Sequence, residues 1–208
     1  MGVCYIVGAG KCPKLDFNKK DGDFVIAADG GCAYLERQGI MPDLIIGDFD
    51  SLESAPSGEN IIRLNPVKDI TDMDAAVQEG VKRGYSEFCL YGACGGRIDH
   101  TLANIQLVAS LAQNKKRAYI RNGAQVITAV CNGSLCFDSS YKGYVSVFAH
   151  SDKCEGICLK GLKYPLENAV LSNSFPLGVS NEFLGVESEI IIGKGTAVIV
   201  YSLPEACI

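Results

Sequence analysis

Short apolar runs alternate with helix-period segments through the first half of the chain. Val3–Val7, Phe24–Ala28, Leu44–Ile46, Ile61–Leu64 and Glu87–Tyr91 read as strands. Their near-continuous apolar character predicts burial on both faces. Between them, a short helix is predicted over Cys32–Gln38 and stopped by Gly39. A second covers Thr71–Arg83, with Met73, Ala76, Val77 and Val81 on one face and Gly84 closing it. A third covers Ile98–Gln113, with Ile98, Leu102, Ile105 and Ala109 in line. Strands alternating with helices predict a parallel sheet with helices on both faces, a Rossmann-like α/β domain over residues 1–117.

After residue 117 the texture changes. Short β-rich runs follow one another: Ala118–Arg121, Gln125–Val130, Ser134–Phe137, Tyr144–Ala149, Gly156–Leu159, Ala169–Leu171, Glu189–Ile192 and Ala197–Tyr201. Asn122-Gly123, Asn132-Gly133, Lys142-Gly143 and Gly193-Lys194-Gly195 mark turns between many of them. This half is expected to be an antiparallel β-sandwich domain over residues 118–208.

Composition narrows the function classes. With 208 residues, 48% of them hydrophobic, the chain can bury a sizeable core. A net charge of −5 lacks the basic stripe of a nucleic-acid binder. Lys115-Lys116-Arg117 reads as a solvated helix end that complements the helix dipole. No apolar run is long enough to span a membrane. The ten cysteines include no Cys-x-x-Cys pair, and the spacings Cys89/Cys94, Cys131/Cys136 and Cys154/Cys158 match no zinc pattern. Cys4 and Cys89 lie in apolar runs, where a thiol behaves as a small hydrophobe. Reduced thiols imply a cytoplasmic protein.

Seven aspartates fall between Asp43 and Asp99, among glycines and basic residues. Carboxylates gathered in one place repel one another unless a cation binds among them. Hard oxygen donors suit Mg²⁺, commonly together with substrate phosphates. Several of the aspartate runs follow predicted strands, whose carboxyl ends are where open α/β sheets bind ligands.

Asp48 and Asp50 stand two apart, so in extended backbone both reach one cation; an Asx-bonded polar turn accounts for them equally well. Thr71 is a natural helix N-cap, and Asp74, three residues on, is its capping-box partner. That leaves Asp72 as the metal-ligand candidate. Lys68 supplies a point charge for phosphate. Gly92-Ala93-Cys94-Gly95-Gly96-Arg97 lies between a strand and a helix, so its backbone can approach an anion while Arg97 adds a fork suited to phosphate oxygens. Asp99 bonds the arginine, takes part in proton transfer, or is an ordinary acid of a first helical turn.

Taken together these runs resemble the thiamine pyrophosphokinase (thiamine diphosphokinase) family. The resemblance is carried, in order, by Asp29-Gly30-Gly31, Pro42–Ser51 with Gly47-Asp48-Phe49-Asp50-Ser51, Lys68-Asp69-Ile70-Thr71-Asp72, Gly92–Asn104, Gly161-Leu162-Lys163-Tyr164 and Ser180-Asn181. It implies transfer of the pyrophosphoryl group of ATP to the hydroxyl of thiamine, giving thiamine diphosphate and AMP. It also implies a homodimer with active sites at the subunit interface. By this likeness Asp48, Asp50 and Asp72 hold Mg²⁺, and Lys68, Asp69, Arg97 and Asp99 surround the phosphates and the reacting oxygen, with Asp99 the favoured proton acceptor. Asp29, Gly30, Ser51, Thr71, Gly95 and Gly96 fall to substrate binding. Ser180, Asn181 and Tyr164 are expected to meet thiamine from the other subunit. Some relatives carry tryptophan at the Tyr164 position; this chain has none, so its aromatic face for a cationic ring is a tyrosine.

Overall fold

The structure is a computed structural model that describes residues 2–12, 14–49, 60–65, 67 and 69–204. Contacts divide the chain into two units, Met1–Leu107 with Ile120–Gly123, and Val108–Tyr119 with Ala124–Ile208. The chain is mixed α/β, rich in strands and poor in helices.

The first unit holds β1 (Cys4–Val7), β2 (Phe24–Ala28), α1 (Cys32–Arg37), β3 (Leu44–Gly47), β4 (Ile61–Arg63), α2 (Asp72–Lys82) and β5 (Glu87–Tyr91). α3 (Ile98–Gln113) begins in it and crosses the division. Its strands are all parallel, in the order β5-β1-β2-β3-β4. The alternation of side chains explains the unbroken apolar runs. Val7, Val25, Ala27 and Tyr91 cluster with Leu35 of α1 on one face. On the other, Cys4 and Phe88 lie against Gly80 of α2. A Cβ at Gly80 would come 2.7 Å from the Phe88 ring and 2.9 Å from Cys4 Sγ. That close approach is why Gly80, and not the expected Val81, is the buried residue at this point of the helix.

The described residues between β1 and β2 beyond Gly10 carry no regular element, yet Cys12, Leu15 and Phe17 are buried in the α1-side cluster. Phe17 stacks on Tyr5 with ring centroids 4.0 Å apart. Asp16 ties the segment down, accepting from Tyr91 Oη at 2.5 Å and pairing with Arg121.

The expected face of α3 is corrected. Ile98 and Leu102 are 77% and 57% exposed; Ala109 is buried as expected, but together with Asn104, Val108 and Leu111. The helix is apolar on more than one side, so periodicity alone does not choose the buried stripe.

β6 (Arg117–Asn122) leads to β7 (Gln125–Phe137), β8 (Lys142–Ala149), β9 (Lys153–Lys160), β10 (Leu166–Ser172), β11 (Asn181–Leu184) and β12 (Ser188–Ser202). The pairings among β7–β12 are antiparallel. β12 runs along β7 for most of its length and changes its other partner midway, from β9 at Glu189–Ile191 to β8 at Ala197–Tyr201. The change coincides with a register shift between Ile192 and Thr196. Here the sequence expectation is corrected: Asn132-Gly133 and Gly193-Lys194-Gly195 are not reversals but irregularities inside two continuous strands. Asn132 sits at φ 49°, and its side-chain oxygen accepts from Gly195 N at 2.8 Å, so the two irregularities lock together. Beneath them, Val145, Ile157, Ile190 and Ile199 are wholly buried.

The nine described cysteines all carry free thiols. Among the described residues no helix is long and apolar enough to cross a membrane.

Candidate functional site

Strand order places the first site. From β1 the chain steps outward through β2, β3 and β4, then returns to the opposite side of β1 with β5. The loops after β1 and β5 therefore leave the sheet in opposite directions, and a crevice opens at their carboxyl ends. A cleft of about 290 Å³ lies there. Gly8, Gly10, Gly92, Gly96, Asp72 and Arg97 are among the residues that line it.

The two loops are interlocked. Gly8 N donates to Tyr91 O at 2.8 Å and Gly10 N to Gly92 O at 2.9 Å. Neither contact leaves room for a side chain: a Cβ at Gly10 would sit 2.4 Å from Gly92 O, and one at Gly92 2.3 Å from Gly8 O. Asn104, 6% exposed on α3, donates from Nδ2 to Ala93 O at 2.7 Å and pins the second loop from behind.

The cleft's third wall is the start of α2. Thr71 caps this helix, its Oγ1 accepting from Asp74 N at 3.1 Å. The Asp74 carboxylate accepts from Gln78 Nε2 at 3.2 Å, one turn on. With the cap supplied by Thr71, the Asp72 carboxylate on the cleft wall is not needed for it. Asp29 lines the cleft at the end of β2, at φ 51°, a left-handed conformation that aspartate tolerates better than most residues. Ala28 pairs in register with Ile46, which brings the ends of β2 and β3 side by side, with Asp48 half-buried just beyond β3.

Arg97 stands at the mouth, 72% exposed in its side chain. Its Nε donates to Asp99 Oδ1 at 3.2 Å and its Nη2 to Oδ2 at 2.6 Å. These bonds hold the Asp99 carboxyl below the usual carboxylate range and raise Arg97 in turn. Burial pushes the thiols of Cys94, on the cleft wall, and of Cys12 upward, so both are poor nucleophiles.

Of the residues expected from sequence, Asp29, Thr71, Asp72, Gly96 and Arg97 come together in the cleft. Asp99 joins them through Arg97, Gly30 approaches Ala9, and Gly95 approaches Lys11. Asp69 is exposed two residues before Thr71. Asp50, Ser51 and Lys68 lie outside the described residues. Among the described residues no three His, Cys, Asp or Glu side chains are grouped to hold a metal. Asp43 is structural, because its carboxylate accepts from Val25 N at 2.7 Å and from Lys19 Nζ at 2.5 Å. Asn104 received no role from sequence; its signal is a polar residue in the i, i+4, i+7 register of Val108 and Leu111.

The second unit has its own cavity, about 310 Å³, lined by Leu159, Tyr164, Leu166, Leu177, Val179 and Asn181 among others. Its size lies at the lower end of small-molecule sites. Tyr164 is 56% exposed and Asn181 3%. Ser180 stands beside Asn181 at φ 59°, its amide donating to Ser146 Oγ at 3.0 Å.

Residues 18–120 match the family model for the thiamin pyrophosphokinase catalytic domain, and residues 135–196 that for the thiamin pyrophosphokinase vitamin B1 binding domain. Thiamine pyrophosphokinase of Bacillus subtilis (strain 168) is 27% identical over 186 residues, 85% of this chain and 86% of that one. The crystal structure of thiamine pyrophosphokinase from Bacillus subtilis superposes with a TM-score of 0.86 at 26% identity, over 97% of this chain and 99% of that chain. The Geobacillus thermodenitrificans thiamin pyrophosphokinase structure gives a TM-score of 0.84 at 28% identity, over 99% of this chain and 100% of that chain. The chain belongs to the thiamine pyrophosphokinase family.

Proposed function

We propose that the cleft at the ends of β1 and β5 binds the triphosphate of ATP, and that the cavity beside Tyr164 meets thiamine. As a thiamine diphosphokinase, the chain transfers the pyrophosphoryl group of ATP to the hydroxyl of thiamine, giving thiamine diphosphate and AMP. In this reading residues 1–117 are a Rossmann-like nucleotide-binding domain and residues 118–208 an antiparallel β-sandwich that binds the vitamin. The observation that carries it is the convergence of two glycine loops, Asp72 and Arg97 on one cleft at the switch in strand order.

The donor set suits a hard cation. Asp72 offers a carboxylate on the cleft wall, and the other candidates are carboxylates too. Asp48, Asp50 and Asp72 would hold Mg²⁺, which when bound supplies charge neutralisation on the phosphate oxygens. The glycine loops bring backbone close to the phosphates, and Asp29, Gly30, Ser51, Thr71, Gly95 and Gly96 complete the binding surface. Arg97 donates its fork to phosphoryl oxygens, oriented by Asp99, while Lys68 and Asp69 flank the chain of phosphates. The thiamine hydroxyl oxygen forms a bond to the β-phosphorus as the bond to the oxygen shared with the α-phosphorus breaks, and AMP leaves. The hydroxyl proton passes to the Asp99 carboxylate. A carboxylate held low in pKa accepts late, which suits a loose transition state.

Two chains form a homodimer in which Tyr164, Ser180 and Asn181 meet thiamine from the other subunit. Exposed Phe175, Leu177 and Val179 near that cavity support a covered face. Free cysteines support a cytoplasmic setting. The reading is tested by incubating the protein with Mg-ATP and thiamine and separating the products: AMP and thiamine diphosphate in equal amounts are expected, and ADP with thiamine monophosphate contradicts it.

A further inference from the structure

We infer that Asn181 acts on the vitamin through Tyr164: its amide sets the backbone that carries the ring, and does not itself select thiamine. The inference rests on the reading above that Tyr164 meets thiamine, and it replaces the direct contact given there to Asn181. The segment Gly161–Tyr164 lies between β9 and β10 and meets β11 through an isolated antiparallel bridge. Leu162 bridges to Phe183, and Lys163 N donates to Glu182 O at 3.0 Å. One step further, this pairing meets Asn181, whose own backbone is in register with Val145 of β8.

At that step the side chain takes over. Asn181 Oδ1 accepts from Tyr164 N at 2.9 Å, and Nδ2 donates to Tyr164 O at 2.7 Å. The same Oδ1 accepts from Glu182 N at 2.9 Å. An amide offers two acceptor and two donor positions, so three of the four are committed inside the protein. The buried side chain thus serves as a stretch of strand edge for Tyr164 alone. Leu162 anchors the other end of the segment in the core. Tyr164 lines the cavity from this tied backbone, with Lys163 Nζ 5.5 Å from its ring centroid and tied back to Glu182 at 2.7 Å. An aromatic face held in advance binds a cationic ring without a further ordering cost.

The substitution Asn181→Asp tests this, because it keeps the side chain's shape but sets an acceptor in place of the donor facing Tyr164 O. Steady-state kinetics are measured for wild type, Asn181→Asp, Tyr164→Ala and the double variant, with melting curves for each. Each single variant is expected to raise the KM for thiamine about tenfold, with kcat and the KM for Mg-ATP within twofold of wild type. The double variant is expected to be no worse than Tyr164→Ala, since no ring remains to misplace. Effects that multiply would show Asn181 contacting thiamine directly and overturn the inference while sparing the role of Tyr164. An unchanged KM in Tyr164→Ala overturns both. An unchanged KM in Asn181→Asp overturns the inference alone. If Asn181→Asp does not fold, Asn181→Ser, too short to span either bond, takes its place in the same cycle. As the chain has no tryptophan, Tyr164→Trp adds a single emitter at this point. Its fluorescence anisotropy should fall when Asn181→Asp is added, and an unchanged value would contradict the clamp.

Discussion

Replacing Gly10 with alanine strikes the interlock that shapes the first cleft. A Cβ there would lie 2.4 Å from Gly92 O and 2.7 Å from Cys94 O. Ordinary contact begins at 3.4 Å, so the loops must part by 3.4 − 2.4 = 1.0 Å on one side and 3.4 − 2.7 = 0.7 Å on the other. Both obstacles are backbone oxygens, so no change of rotamer relieves them. Overpacking of this kind costs about 1–3 kcal/mol. For a chain of this length each kcal/mol moves Tm by about 2–4 °C, which gives a fall of about 2–12 °C. A displacement near 1 Å at reacting groups lowers the rate by about 100-fold. Both are read from AMP release with Mg-ATP and thiamine and from a melting curve. Gly96→Ala is the control for stability: no atom lies within 4 Å of a Cβ built there, and its Tm should not move. A Gly10→Ala protein with kcat/KM within twofold of wild type and an unchanged Tm would refute the interlock.

Two further outcomes follow from local geometry. Thr71→Ala removes the N-cap of α2 and should cost about 1 kcal/mol, restored by Thr71→Ser and measured by urea unfolding. Burial pushes the Cys4 thiol up to about 12, above the 9.0 of an exposed thiol. Because the folded state keeps its proton longer, this contribution is intact below pH 9 and lost as pH rises toward 12, at about 1.4 kcal/mol per pH unit. Unfolding midpoints should therefore fall between pH 9 and 11, and Cys4→Ala should flatten the slope; equal slopes in the two proteins would contradict the assignment.

Much of this was legible in the sequence because the signals are local. Alternating apolar runs and helices announced the parallel sheet of the first unit, and Thr71 announced the start of α2. The ordered aspartate and glycine runs announced residues that line one cleft, among them Asp29, Thr71, Asp72, Gly96 and Arg97. What escaped depends on contacts distant in the chain. Asn132-Gly133 has the composition of a hairpin, and only its bond to Gly195 makes it a bend in a continuous strand. The irregular segment with Leu15 and Phe17 has no period to read, yet it covers one face of the sheet. Asn181 reads as a binding residue by its place in a motif; its bonds to Tyr164, seventeen residues back, are a contact that spacing does not reveal.

The central claim, that the cleft is where the triphosphate reacts and that Asp72 serves that reaction, is tested most directly by one variant. Asp72→Asn keeps the Thr71 cap and the shape of the cleft wall while removing one negative charge. The turnover of Mg-ATP and thiamine to AMP and thiamine diphosphate should fall by about 100- to 1,000-fold, the scale of losing one charge-stabilising group, while losing a first-turn acid should lower the melting temperature by no more than about 4 °C. A kcat equal to that of the wild type would contradict it.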